Sequence, residues 1–217
     1  MDLAVFDLDE TLICEDSTSL WLRWLVSQGY AQEALLQQEQ TLMAQYHAGK
    51  LSIEEYMGTT LAPLAGMATL TVEGWARRFI HRDILPRVFP AARERIRWHQ
   101  QRGDKVVIIT ASGDHLALPI AKRLEVDDAL AIGVEIADER YTGRIYGTAT
   151  YREGKVTRLQ AWKAQQAQPF AHTWAYSDSI NDLPLLTHAD SAWVINPDAM
   201  LAQEAQQRGW EVCHWTR

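Results

Sequence analysis

The segment Asp7-Leu8-Asp9-Glu10-Thr11 closes an apolar run, Leu3-Ala4-Val5-Phe6, and places two carboxylates two residues apart. Carboxylates are seldom buried without a partner, so a buried strand ending this way calls for a cation or a reacting group. Two further strand-like runs also end in polar groups. Lys105 to Thr110 leads into Ala111-Ser112-Gly113, and Thr173 to Ser177 leads into Asp178-Ser179-Ile180-Asn181-Asp182. Lys155 follows Gly154 at the start of a predicted helix. In an open α/β sheet, ligands sit outside the carboxyl ends of the strands. If these strands are parallel neighbours, an acid pair, a hydroxyl, an ammonium and a second acid pair converge on one edge. Four carboxylates cannot share a pocket unpaired, because desolvation and mutual repulsion are too large. A hard divalent cation such as Mg²⁺ resolves this, taking one or two carboxylates with water and substrate phosphate. With no cysteine in the set and no histidine pair nearby, zinc does not fit. Lys155 and the Thr110 hydroxyl suit the oxygens of a phosphoryl group. Structural alternatives stand beside these readings. Asp9 or Thr11 could cap the next helix, Asp182 could be a helix N-terminal acid, and Ser112 could replace or supplement Thr110.

These groups need elements to hold them. Asp16-Ser17-Thr18 precede Leu20, Trp21, Trp24 and Leu25, a cap followed by helical spacing. Ala31 to Gly49 predicts a second helix, Ser52-Ile53-Glu54-Glu55 opens a third with a capping box, and Thr71 opens a fourth running towards Ile84. No strand is expected from Leu12 to about Leu85. Ala91 to Arg102 predicts a helix stopped by Gly103. Lys105 to Thr110 is a β-branched strand, and Leu116 to Leu124 a helix with Pro119 in or near its first turn. Gly133 to Ile145 alternates around a turn at Asp138-Glu139 and predicts a hairpin. Val156 to Gln166 is helical, Thr173 to Ser177 and Ser191 to Ile195 are strands, Ala199 to Arg208 is a helix ended by Gly209, and Glu211 to Trp215 is an edge strand. Strand and helix alternate outside the helical block, which predicts parallel βαβ units with right-handed crossovers.

The 217 residues suffice for one domain with a large insertion. A net charge of −7 argues against a general nucleic-acid binder, which needs a basic footprint. It leaves room for an anionic substrate where a local Lys and a metal reverse the field. The two cysteines, Cys14 and Cys213, make no disulfide framework and favour a reducing compartment. The acidic N-terminus does not read as a signal peptide, and no stretch approaches the roughly 18 apolar residues of a membrane span, so a cytoplasmic location without membrane partners is expected. Several of the nine tryptophans, including Trp21, Trp24, Trp75, Trp98 and Trp162, fall in helical patterns that suit core packing. His81 and His115 read as surface or capping groups.

Taken in order, Asp7-Leu8-Asp9-Glu10-Thr11, the strand ending at Thr110, Lys155, and Asp178-Ser179-Ile180-Asn181-Asp182 resemble the four motifs of the haloacid dehalogenase superfamily, in its phosphoserine-phosphatase-like branch. The resemblance covers the whole chain. It implies a Rossmann-like α/β core, doubly wound on a mostly parallel sheet, over residues 1–13 and 86–217. An inserted all-helical cap over 14–85 would set substrate specificity, hinged near Cys14 and Pro86. It implies that Asp7 is the nucleophile and forms an aspartyl-phosphate, and that Asp9 is the general acid and then the base. Asp7, Asp178 and the Asp9 carbonyl would bind Mg²⁺, with Asp182 in support. Thr110 and Lys155 would hold the phosphoryl oxygens, and Asn181 would orient them. An acid at Asp9 favours a phosphatase over the superfamily's dehalogenases and P-type ATPases.

The expected partner is a small-molecule phosphomonoester, with no oligomeric state fixed by the sequence. Phosphoserine phosphatases carry a cap Glu where this chain has Asp16, and a cap Arg that an ungapped alignment on Gly49-Lys50-Leu51 sets at Gly58. An acid kept and a base lost suggest a substrate with an ammonium and no carboxylate, for which histidinol phosphate is the candidate. Asp16 or Glu15 would pair with the amine, and Trp21, Trp24 or Tyr46 would stack on the imidazole. Arg77 or Arg78 could restore the base and with it phosphoserine. Phosphotransfer to an alcohol, or a phosphate-binding regulatory role without useful turnover, are the competing readings.

Overall fold

The computed structural model describes residues 1–48 and 50–217. The chain begins with a strand, β1 (Leu3–Phe6), followed by helices α1 (Ser17–Ser27), α2 (Ala34–His47), α3 (Ile53–Leu61) and α4 (Thr69–Phe79). After a π-helical turn (Ile80–Ile84) come α5 (Pro90–Gln101), β2 (Lys105–Gly113), α6 (Asp114–Arg123), β3 (Asp128–Ala137) and β4 (Arg140–Tyr146). The chain closes with α7 (Glu153–Ala164), β5 (Thr173–Ser177), α8 (Leu183–His188), β6 (Ser191–Ile195), α9 (Ala199–Arg208) and β7 (Glu211–Cys213). The strands form one seven-stranded sheet in the order β4-β3-β2-β1-β5-β6-β7.

All neighbouring strands run parallel except β3 and β4, which form the hairpin. The strands are hydrophobic on both faces because both faces are covered. Leu3 and Val5 of β1 join one core with Val107, Ile109, Leu159, Leu185 and Leu201. Ala4 and Phe6 point the other way, into a core shared with Ile96, Leu116 and Ile120. Strand order departs from β1 in both directions, to β2 on one side and β5 on the other. A crevice at the carboxyl end of β1 is the physical consequence.

The register fixes which groups meet there. Phe6 pairs with Ile108 on one side and Tyr176 on the other. Asp7, Thr110 and Asp178, each one or two residues beyond this row, therefore come together at the carboxyl end of β1, Thr110 from within β2. The expected strands Leu3 to Phe6, Thr173 to Ser177 and Ser191 to Ile195, and the helix Ala199 to Arg208 with Gly209 left-handed at φ 68°, are all present.

Several boundaries differ from expectation. The hairpin turn at Asp138-Glu139 is present, both residues having φ of 50–60°. Its first strand starts earlier, however, at Asp128, because residues 128–130 pair with β2 before the chain turns back. Strand β2 extends past Thr110 to Gly113, and α6 starts at Asp114, so Pro119 lies inside the helix rather than in its first turn. Helix α4 starts at Thr69, two residues earlier than expected, and α2 at Ala34, three later. The expected α2 stop at Gly49 lies outside the described residues. The last strand ends at Cys213.

Between Ile13 and Val88, which are bridged to each other, the elements are helical as expected. The two crossings lie side by side, tied by Cys14 N–H to the Arg87 carbonyl (3.0 Å) and Phe89 N–H to the Leu12 carbonyl (3.0 Å). A third tie is new. Gly66 N–H donates to Tyr141 O (2.8 Å), Tyr141 N–H to Met67 O (3.0 Å) and Thr69 N–H to Glu139 O (2.9 Å). The loop before α4 thus adds to the β4 edge of the sheet.

Candidate active site

Asp7 is the first residue past β1 and is buried. Lys155 Nζ donates to Asp7 Oδ1 at 2.9 Å and to Asp182 Oδ2 at 2.7 Å. Lys155 sits in the first turn of α7, and the loop before that helix is tightly built. Thr150 Oγ1 donates to the Thr110 carbonyl (2.5 Å), and a Cβ on Gly154 would drive into the Ala149 carbonyl oxygen. Only glycine lets the chain pass there and start α7 with Lys155 aimed at β1.

Thr11, four residues beyond Asp7, is fully buried. Its hydroxyl lies 3.2 Å from Asp7 Oδ2 and 3.1 Å from Asp178 Oδ1. One hydroxyl has one proton, so two carboxylates share a single donor. Asp182 does not act as a simple helix-capping acid. Its side chain makes no cap bond to α8 and instead takes Lys155 and the Ser177 hydroxyl, the latter at 2.7 Å.

Asp9 turns away from this group. Its Oδ1 accepts Ser17 N–H at 2.6 Å, at the start of α1, and the Thr110 hydroxyl lies 3.5 Å from its Oδ2. Asp16 is the N-cap of the same helix and accepts Ser19 N–H at 2.8 Å. Thr110 is fully buried and its hydroxyl also accepts Ser112 N–H at 3.1 Å. The Ser112 hydroxyl faces α1, 3.3 Å from Ser17 Oγ. Asn181 does not line the cavity. Its Oδ1 accepts Arg152 Nε at 3.2 Å, and it hydrogen bonds with Tyr46 of α2.

The cavity over these groups is lined by Asp7, Asp9, Glu10, Asp16, Asp178, Asp182 and Asp198, with Lys155 as the one cation among the described lining residues. Its far wall is Thr18, Met43, Tyr46, Ile53 and Tyr56, with Ala111 and Tyr151 opposite. Burial and the charge balance set the direction in which each group's pKa departs from its ordinary value. Burial pushes Asp7 up to about 6, resisted by Lys155 and reinforced by Asp182. Burial, then Asp16 and Asp7, holds Asp9 well above the carboxylate range, and burial, then Asp7 and Glu10, does the same to Asp178. Burial opposes the charge on Lys155, but Asp182 and Asp7 outweigh it and raise its pKa. The acids are undercompensated by one ammonium, and a cation between Asp7 and Asp178 would make up the difference. Among the described residues no three His, Cys, Asp or Glu side chains close on one point. The site offers two carboxylates and neighbouring backbone oxygen, a donor set that suits Mg²⁺ rather than a metal needing an all-protein cage.

Five expectations from the sequence are corrected. Trp21 and Trp24 stack on each other at 5.4 Å, are almost fully buried, and do not line the cavity, whereas Tyr46 does. Gly58 lines a separate cleft with Tyr30 and Leu35, because Ile53 and Tyr56 carry the cavity-facing side of α3 and position 58 points elsewhere. An arginine there would not reach the reacting centre. Arg77 lines another cleft beside α6, and Arg78 lies 5.8 Å over Trp24, so neither supplies a base to the cavity. Glu15 is held by Arg23 and Arg87 at 2.9 and 2.8 Å and does not line the cavity either. His115 is not a capping group, since its Nδ1 is enclosed without a partner and burial depresses its pKa to about 4. The Ser17 amide and Asp198 were not anticipated, since a backbone N–H and a routine N-cap carry no signal in sequence.

Among the described residues no helix is long and apolar enough to cross a membrane. Residues 4–187 match the haloacid dehalogenase-like hydrolase family. A histidinol-phosphatase from Neisseria meningitidis serogroup C is 34% identical over 219 residues, covering 99% of both chains. Phosphoserine phosphatase SerB1 of Mycobacterium tuberculosis is 32% identical over 152 residues, 70% of this chain and 49% of its own. A crystal structure of a protein of unknown function from Bordetella pertussis Tohama I superposes with a TM-score of 0.91 at 36% identity over 97% of each chain. A phospho-aspartyl intermediate analogue of phosphoserine phosphatase shares the fold, with a TM-score of 0.72 at 19% identity over 100% of this chain and 94% of that one. The acid-rich crevice at the tip of β1 therefore sits in a chain that belongs to the haloacid dehalogenase-like hydrolases, among the phosphatases of the phosphoserine-phosphatase-like branch.

Proposed function

We propose that the chain is a Mg²⁺-dependent phosphomonoesterase that works through an aspartyl-phosphate on Asp7, with histidinol phosphate as its substrate. The observation that carries the substrate is the lining of the cavity. Its leaving-group wall offers Asp16, Thr18, Met43, Tyr46, Ile53 and Tyr56, with no arginine or lysine among them. A carboxylate on the leaving group would meet the Asp16 charge with no cation on that wall to offset it, while an ammonium would pair with Asp16 and a flat ring could lie along the tyrosines. The relative named histidinol-phosphatase supports the same choice.

In this reading Asp7 and Asp178, whose Oδ2 and Oδ1 share the Thr11 hydroxyl, would hold the metal together with the Asp9 carbonyl. When bound, Mg²⁺ would neutralise charge on the substrate phosphate and on the carboxylates. Asp7 Oδ1, beside Lys155, is then the attacking oxygen. Lys155 offsets the repulsion between Asp7 and phosphate and holds a phosphoryl oxygen, whereas Thr110, fully buried and outside the cavity lining, braces Asp9 rather than meeting the phosphoryl group as the sequence suggested. Asp182 and Ser177 position Lys155. Asp9, kept protonated by burial, gives its proton to the leaving alcohol and later takes one from the attacking water. Ser17 N–H fixes the direction of the Asp9 carboxyl.

Residues 14–85 act in this reading as the cap, because they supply the wall that faces the leaving group. Asn181, bonded to Arg152 and Tyr46, links that wall to the motif carrying Asp178 rather than touching the phosphoryl group. Steady-state rates on a panel of phosphomonoesters test the proposal. Histidinol phosphate should be preferred over phosphoserine and over sugar phosphates, and Asp7→Asn should abolish turnover and trapped phosphoenzyme alike. A preference for phosphoserine would overturn the substrate assignment. Turnover that survives chelation, or that leaves no phosphorus on Asp7, would overturn the mechanism.

A further inference from the structure

Asp198 lines the active-site cavity, yet both of its carboxylate oxygens are already engaged. Oδ1 accepts Leu201 N–H at 2.7 Å and caps α9. Oδ2 accepts Ile180 N–H at 2.8 Å. Its own backbone N–H donates to the Asp178 carbonyl at 3.0 Å. One residue therefore grips the chain at two successive points just after the Asp178 side chain. The grip is rigidly mounted. Asn196, at φ 42°, exchanges side-chain hydrogen bonds with the Trp215 backbone at 2.9 and 3.0 Å, and Pro197 fixes the next φ, so the turn after β6 delivers Asp198 to the end of β5.

We propose that Asp198 is a positioning residue for the metal-binding loop, holding Asp178 in the orientation that ligates the cation without ligating it itself. The proposal rests on the Mg²⁺-dependent reading above. Its physical content is preorganisation. Asp178 is buried, repelled by Asp7, and among the described residues has only a shared hydroxyl as a side-chain donor, so its direction must come from the backbone that carries it. A helix cap alone would explain the Leu201 bond but not the Ile180 bond or the Asp178 bond.

Two variants remove the grip from opposite ends. Asp198→Ser keeps a good N-cap for α9 and loses the acceptor for Ile180. Ile180→Pro deletes the donor instead. Ile180 is the first residue of its 3₁₀ turn, and Ser179 before it is extended (φ −113°, ψ 140°), so the backbone accepts proline there. Calorimetric titration with MgCl₂ and thermal melting in EDTA are the readouts. Each variant should weaken Mg²⁺ binding at least tenfold, the double variant should add little to either, and the metal-free melting temperature of Asp198→Ser should stay near the parent's. Unchanged Mg²⁺ affinity in the variants, or a drop in melting temperature with no change in affinity, would overturn the proposal and leave Asp198 a helix cap. If the serine variant fails to fold, Ile180→Pro with the cap intact decides alone. A parent protein that binds no Mg²⁺ would sink the underlying reading, an outcome visible before any variant is made.

Discussion

The affinity for Mg²⁺ should depend steeply on pH, and the site sets the size of the effect. Binding needs an ionised Asp7, whose pKa burial has moved from 3.8 to about 6. At pH 7.5 Asp7 is ionised and protons compete little. At pH 5 roughly one Asp7 in ten is ionised, so the apparent affinity falls about tenfold, or about 1.4 kcal/mol. Asp178 is shifted in the same direction and makes the fall steeper, towards a second proton per ion. The melting temperature of the metal-free protein reports this poorly. A carboxyl with a raised folded pKa lends stability that is complete below the unfolded value and lost as pH rises through the folded one. For Asp7 the loss runs from pH 3.8 through about 6 and reaches about 3 kcal/mol. His115, depressed from 6.5 to about 4, works in the opposite direction, its contribution present above pH 6.5 and lost as pH falls towards 4. His115 offsets part of the Asp7 effect while Asp9 and Asp178, also raised, add to it, so the melting temperature sums several groups that need not bind the ion. Calorimetry with MgCl₂ between pH 5 and 8, in buffers of differing ionisation enthalpy, separates them by counting protons released per ion. Proton release on binding that falls as pH rises through about 6, the Asp7 value, is expected. A dissociation constant that is flat from pH 5 to 8 with no proton release would refute the placement of the cation at Asp7 and Asp178.

Three further outcomes follow from the same geometry. Lys155→Met leaves Asp7 and Asp182 buried without their shared cation, which should cost about 3–5 kcal/mol and roughly 10 °C in the melting temperature without Mg²⁺, with turnover lost; an unchanged melting curve would show that the ammonium does not balance them. Asp16→Asn keeps an N-cap on α1 but removes the charge facing the leaving group, so kcat/KM for histidinol phosphate should fall about tenfold relative to that for an uncharged alkyl phosphate; an unaltered ratio would place the amine elsewhere. The amides of Gly66, Thr69 and Tyr141 should stay protected from hydrogen exchange without substrate, because the bonds tying the α4 loop to β4 make the helical block and the hairpin move as one; rapid exchange would mean that the block swings on Cys14 and Pro86 alone.

The chemistry was legible in the sequence because it is local. Two acids after an apolar run, an Asn-Asp pair after another, and a Gly-Lys at a helix start can each be read within a few residues. Alternation of β-branched runs with helical spacing gave the layer architecture, and Asp16 and Ser52 announced their helices as caps. What stayed hidden depends on groups far apart in the chain meeting in space. Lys155 and Asp7 are 148 residues apart and Thr11 and Asp178 are 167 apart, and only the register of β1 with its neighbours decides which oxygen each one meets. The same limit explains Gly58. Helical spacing says that residues 53 and 56 share a face, but only packing against α2 decides that this face, and not the one bearing position 58, looks into the cavity. It explains Asn181 and Asp198 too, whose partners are an arginine across a loop and the backbone of another strand end. Side-chain chemistry is written residue by residue. Direction and partner come from the closed sheet and from burial, which decide what a carboxylate must neutralise.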